Sequence, residues 1–237
     1  MAGHSKWANI KRHKEKQDAK RGKLYTKLIR EITVAARLHG GELESNPRLR
    51  TAFEKACEAN MTKEVIERAI KRGAGGADED KLEEIRYEGY GPSGVAVIVD
   101  CMTNNRNRTV SEVRHAFTKA GGNLGTSNSV AYLFKNVGQI IFAPTVDAER
   151  LMEVALSLSV EDMITHDDNS IDIITTPDAL SSVKEALSKA GFKPESAETT
   201  MLALTTASLD DAATETVHGL VDALEDLEDV QAVYTNI

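Results

Sequence analysis

The sequence has little of what staples, breaks or anchors a chain. It has two cysteines, Cys57 and Cys101, in no CxxC pair and beside no histidine cluster. That excludes a disulfide framework and the usual zinc spacings, and it fits a reducing, cytoplasmic setting. Five prolines and 16 glycines in 237 residues exclude a collagen-like or low-complexity chain. No uncharged apolar run approaches the ~18 residues a membrane-spanning helix needs, so no membrane partner is expected. The opening MAGHSKWANIKRHK is basic but leads into no apolar segment, so no secretory signal is expected. GxSxG, HExxH and a GxGxxG following a strand are all missing. The six histidines (4, 13, 39, 115, 166 and 218) are scattered. No catalytic residue, metal or cofactor is therefore assigned, and a non-enzymatic protein is expected.

What is present is a chain long enough for one to three domains and a sizeable core. Its net charge of −8 conceals a partition. Residues 1–72 hold 18 Lys and Arg against 9 Asp and Glu, a net of +9, and the remainder holds 11 against 28, a net of −17. Such asymmetry marks the basic part as a candidate for nucleic acid.

Within that part, Lys6, Lys11, Arg12, Lys14 and Lys16 face only Glu15, and too few apolar residues accompany them to pack alone. This reads as a basic arm, in which Trp7 and His13 offer rings for stacking on bases. Residues 17–39 place Leu24, Leu28, Ile32 and Ala35 on one helix face. Lys20, Lys23, Lys27, Arg30 and Arg37 lie nearly opposite, within an arc of roughly 100°; Arg21, next in the chain to Lys20, is a further candidate cation. The spacing predicts apolar face in, basic face out. Asn46-Pro47 starts a second helix with a buried stripe of Leu49, Ala52, Phe53 and Ala56. A third starts near Thr62, carries Val65, Ile66, Ala69 and Ile70, and stops at Gly73. Three such helices form a small bundle. The basic stripe is either a solvated face or a phosphate-binding one, since Lys and Arg gain affinity for nucleic acid by releasing counterions.

The Gly-rich, acidic stretch 73–81 is a linker. Beyond it, RYEGYG, Pro92-Ser93-Gly94 and VAVIVDCM predict a hairpin. Thr109 and Glu112 stand at capping-box spacing, so a helix is expected from about Thr109, ending at Gly121-Gly122. Arg106 and Arg108 would then lie just before a helix N-terminus, where free N–H groups and the dipole favour phosphate. Solvated arginines, or arginines paired to the chain's own acids, are the other reading. GGNLGTSNS reads as a helix exit and turn. VAYLF and GQIIFA read as strands. From residue 138 the pattern runs β-α-β-β-α-β, the ferredoxin-like order, with a hairpin turn at Asp167-Asp168-Asn169. An acidic helix near 210–224 and a strand at 230–234 follow. The run Glu225-Asp226-Leu227-Glu228-Asp229 reads as solvated acids or a docking surface for the basic domain, not a catalytic pair.

The expected fold class is α+β: an N-terminal helical bundle, then two ferredoxin-like α/β sandwich domains, one inserted in the other. The domains are 1–75, then 82–134 with 206–237, and the inserted 135–205. The expected partners are nucleic acid (DNA, or rRNA or mRNA on the ribosome), with protein docking on the acidic domains as a further possibility.

MAGHSKWANI, DAKRGKLYTKLIREITVAAR, ERAIKRGAG, YEGYGP with GVAVIV, NRNRTVSEVRHAF and DALEDLEDVQAVYTN together resemble the YebC family across almost the whole chain. That family is described as probable transcriptional regulators, and its mitochondrial relatives act as translational activators of cytochrome oxidase synthesis. The resemblance implies three domains around a cleft. It implies either a DNA-binding regulator or an RNA- or ribosome-associated factor that relieves stalling.

Overall fold

The computed structural model describes Trp7, residues 21–75 and residues 82–237. The described residues form seven α-helices and two four-stranded antiparallel sheets, an α+β fold. By contacts the chain forms two compact units.

One unit spans residues 19–131 and 207–235. Its helices α1 (Arg21–His39), α2 (Pro47–Glu58) and α3 (Lys63–Ala74) enclose the expected apolar stripe. Ile32, Ala35, Leu49, Ala56 and Ile66 are fully buried in one cluster. Asn46 caps α2 as its side chain predicts, its Oδ1 accepting from Leu49 N at 3.0 Å. The bundle closes tightly where α3 meets α1. A Cβ on Gly73 would stand 2.3 Å from the Thr33 carbonyl oxygen, so only glycine permits this approach.

The same unit carries a sheet of β1 (Glu83–Tyr90), β2 (Ala96–Thr103), β3 (Asn123–Leu124) and β8 (Val230–Thr235), in the order β3-β1-β2-β8. Helices α4 (Arg106–Lys119) and α7 (Asp211–Glu225) cover one face. A Cβ on Gly89 would meet the Phe117 ring of α4, and one on Gly91 would meet Leu220 of α7.

The second unit contains residues 132–206. Its elements are β4 (Phe134–Phe142), α5 (Ala148–Ala155), β5 (Asp162–Thr165), β6 (Ile171–Thr175), α6 (Leu180–Lys189) and β7 (Ser196–Ala203). The sheet order β5-β6-β4-β7 is that of the ferredoxin-like arrangement. The first sheet reaches a similar two-layer build by a different chain order. Ile140, Phe142, Ile171 and Ile173 alternate along β4 and β6 to face α5 and α6, as a period of two requires. Phe142 and Phe192 meet edge to face at 6.3 Å.

Besides the short strand β3, which pairs with β1 inside the stretch expected as a helix exit and turn, two expectations give way. VAYLF is not a strand: residues 131–133 form a short 3-10 turn and β4 begins at Phe134. The reason is Glu88, whose carboxylate accepts Asn128 N, Val130 N and Ala131 N at 2.8–2.9 Å. Those N–H groups are spent on a side chain and cannot enter a ladder. The second expectation concerns α4, which begins at Arg106 and not at Thr109. Asn105 caps it, with Oδ1 accepting from Arg108 N at 3.1 Å.

In the second unit, Asp172 is buried and its Oδ2 accepts from Gln139 Nε2 at 2.7 Å. His166 Nε2 lies 2.9 Å from the same oxygen. The Asp172 carboxylate, more than the opposing effect of burial, holds the His166 pKa above its ordinary value. The proton on His166 therefore stabilises the fold fully below about pH 6.5, the unfolded value, and that contribution is lost as pH rises through the folded one. Urea unfolding across this window is expected to show stability falling with rising pH, and His166→Asn is expected to flatten that slope. An unchanged slope in the variant would remove His166 from the account.

Candidate nucleic-acid interface

The residues expected to meet phosphate meet the protein itself in several cases. Helix α7 ends at Glu225, where unsatisfied carbonyls and the negative end of the helix dipole attract cations. The α1 stripe supplies them. Lys27 Nζ donates to the Glu225 carbonyl at 2.8 Å and Lys23 Nζ to that of Asp226 at 3.0 Å. Arg30 Nη1 donates to the Glu228 carbonyl at 2.7 Å, and its Nη2 to the Glu228 carboxylate. Positions 23, 27 and 30 lie on one helix face, so one stripe tracks one stretch of C-terminal chain. Burial lowers the Lys27 pKa, against the raising effect of Glu225 and Asp226.

Asp229 is the centre of this joint. Its side chain is 1% exposed. Oδ1 accepts from Arg30 Nη1 at 3.0 Å. Oδ2 accepts from Arg108 Nη2 at 2.7 Å, Thr109 Oγ1 at 2.8 Å and Thr103 Oγ1 at 3.0 Å. Burial by itself would raise the Asp229 pKa. The donors from Arg108, Thr109 and Thr103 outweigh it and hold the carboxyl below the usual range. Thr109, expected as a helix cap, is instead a ligand of this carboxylate from inside the first turns of α4.

Between α1, α2 and the sheet lies a cleft of about 570 Å³. Its charges are paired: Arg48 with Glu31 and Glu84, and Arg86 with Asp100 at 2.7 Å. Cys101 borders it, its thiol pushed up to about 12 chiefly by burial, which leaves it an inert packing residue. Among the described residues no group of three His, Cys, Asp or Glu side chains stands together to hold a metal. No described helix is long and apolar enough to cross a membrane.

Of the predicted phosphate-binding residues, Lys6, Lys11, Arg12, His13, Lys14, Lys16 and Lys20 lie outside the described residues. Arg21 opens α1. Lys23, Lys27, Arg30 and Arg108 converge on residues 225–229, so the face expected to point outward is in part an internal joint. Arg106 is exposed in the first turn of α4. The sequence pattern does not single out Glu88 and Asp229 as buried acids. Each sits among exposed charged neighbours in the chain, and only the fold buries it.

Residues 5–76 match the model of the TACO1/YebC protein N-terminal domain, and residues 82–237 match that of the TACO1/YebC second and third domain. The chain belongs to the TACO1/YebC family. It is 63% identical over 237 residues to a probable transcriptional regulatory protein of Francisella philomiragia, covering all of this chain and 96% of that one. A protein of the same name from Francisella tularensis subsp. novicida is 62% identical over 236 residues, covering all of this chain and 95% of that one. The crystal structure of a conserved hypothetical protein, Aq1575, from Aquifex aeolicus is similar at a TM-score of 0.83 and 50% identity. That match covers 92% of this chain and 90% of the other. Relatives of this TACO1/YebC chain are thus named as regulators of transcription.

Removing the Asp229 carboxylate leaves two guanidiniums and two threonine hydroxyls without their shared acceptor. Breaking a buried pair in this way costs about 3–5 kcal/mol. Asp229→Ala is expected to lower unfolding free energy by that order in urea titrations followed by circular dichroism. A loss within ~0.5 kcal/mol, the ordinary surface value, would show that the joint is dispensable.

Proposed function

We propose that this TACO1/YebC protein is a non-enzymatic regulator of gene expression that holds nucleic acid through its phosphate backbone. The supporting observation is where its cations go. Lys27, Arg30 and Arg108 hydrogen-bond to the protein's own C-terminal segment, Arg108 from an exposed position. Phosphate binding then falls to Lys6, Lys11, Arg12, Lys14, Lys16 and Lys20 of the first twenty residues, with His13 beside them, and to Arg106. The domains that go with this reading are 1–75, 82–134 with 206–237, and 135–205.

RNA suits this arrangement better than a DNA operator. A helix-turn-helix reader puts the first residues of its second helix on base edges. Here α2 and α3 are joined by a short turn, but the early turns of α3 expose Glu64 and Glu67 between Lys63 and Arg68, a mixed-charge surface without the Asn or Gln that pairs with adenine. The reading as a translation factor on the ribosome is the one this observation favours over operator readout. The transcription reading follows from the relatives' names.

Charge reversal at Lys27 or Arg30 would break the internal joint, so the informative substitutions lie in the arm. Lys6→Glu, Lys11→Glu, Lys14→Glu and Lys16→Glu together are expected to weaken RNA binding at least ~10-fold. They are also expected to reduce the salt dependence by about 0.7–0.9 for each phosphate that is no longer neutralised. Co-sedimentation with ribosomes is expected to fall in parallel. Unchanged affinity and slope would overturn the arm mechanism, and selective binding of promoter duplex without ribosome association would restore the DNA reading.

A further inference from the structure

The sheet of the second unit has two faces, and its helices use one. Helices α5 and α6 pack on Ile140, Phe142, Ile171 and Ile173. The strand pairings set the alternate residues on the other face: Gln139 stands opposite Ile174 and Glu198, Ile141 opposite Asp172, and Val137 opposite Thr200. An antiparallel sheet packed on one side commonly leaves its second face polar and wet. This one does not. Val137, Gln139, Ile141, Asp172, Ile174 and Thr200 are each between 0% and 4% exposed, although α5 and α6 lie on the far side.

The covered face is apolar at its centre and acidic around it. Asp172 Oδ2 accepts from Gln139, but Oδ1 is buried with no hydrogen-bond partner among the described residues. Glu198 is half-buried on the edge strand β7. Asp162 is exposed on the opposite edge strand, β5, where it pairs with Ile174. Such a face suits an occupant that is apolar along its middle and basic at its sides, since buried acceptors and acids are costly without donors or cations near them.

Trp7 points to the occupant. It is the only tryptophan in the chain, and it is helical and half-buried. By contacts it belongs with residues 132–206 and not with the helical bundle that follows it in sequence. The arm around it has too few apolar residues to pack alone. On a helix, positions 7, 10, 11 and 14 share one side, which groups Trp7 and Ile10 with Lys11 and Lys14. That is the pattern the sheet face requires.

We propose that the N-terminal arm docks on this face of its own chain. Trp7 and Ile10 cover Val137, Ile141 and Ile174, and Lys11 and Lys14 lie toward Glu198 and Asp162. The contact is intramolecular and needs no nucleic acid, so it goes beyond the function proposed above. Its consequence for that function is competition: a polyanion has to draw the arm's lysines away from the chain's own acids.

Trp7 reports its own position. Fluorescence of the full chain, without nucleic acid, is expected to show emission to the blue of indole in water and partial protection from acrylamide. Glu198→Lys with Asp162→Lys is expected to shift the emission to the red and to raise quenching at least ~2-fold, as the large ring loses its cover. Lys11→Glu with Lys14→Glu leaves the sheet untouched and is expected to do the same. Thermal melts that match wild type show that each variant is folded. Dilution is expected to change neither reading, since arm and face belong to one chain. A signal lost on dilution means that a second copy's arm fills the face, and it overturns the proposal. So does wild-type emission equal to that of free indole, or emission and quenching unchanged in both variants. None of these outcomes measures affinity for RNA, so failure here is distinct from failure of the nucleic-acid reading.

Discussion

A buried carboxylate organises this protein. Asp229 draws together Arg30 from α1, Thr103 from the end of β2, and Arg108 and Thr109 from α4. A charge taken out of water costs several kcal/mol unless its partners return that cost. Four side chains converge here to do so, and each is thereby held in place. Its main chain takes part as well, since the Asp229 carbonyl accepts from Met102 N at 2.8 Å. Residues some 200 positions apart in the chain are tied by this one acid and the carbonyls just before it.

The joint changes how the charge partition is understood. A basic N-terminal part and an acidic remainder suggest either a binding surface beside an acidic scaffold or two parts that dock on one another. In the structure the two signs meet, and part of the α1 stripe neutralises the C-terminal end of α7. Binding capacity for a polyanion is then the residue of an internal balance. In the proposed function it rests on cations outside that joint. Substitution of Lys23, Lys27 or Arg30 removes a contact within the fold.

Much of the architecture is legible in the chain. The α1, α2 and α3 stripes recur at helical spacing, and the strands and helices of the β-α-β-β-α-β run of the second unit are set apart by clear turns. Asp167-Asp168-Asn169 is a hairpin turn, with Asn169 at φ 63°, a conformation asparagine tolerates. The departures share a cause. By local pattern Thr109 resembles a helix cap, and Val130-Ala131 resemble strand residues. In both places a buried acid from elsewhere in the chain, Asp229 or Glu88, claims the groups that local structure would have used.

By itself the sequence determined where apolar faces and chain breaks fall, because side-chain spacing and glycine or proline chemistry act over a few residues. It also determined that the chain belongs with YebC-like proteins, since its motifs extend over almost the whole length. The tertiary structure alone decided which cations of α1 and α4 join the protein's own C-terminal segment. Charge acts through space, and whether Lys27, Arg30 or Arg108 meets water, phosphate or Asp229 depends on which distant segment the fold sets beside it.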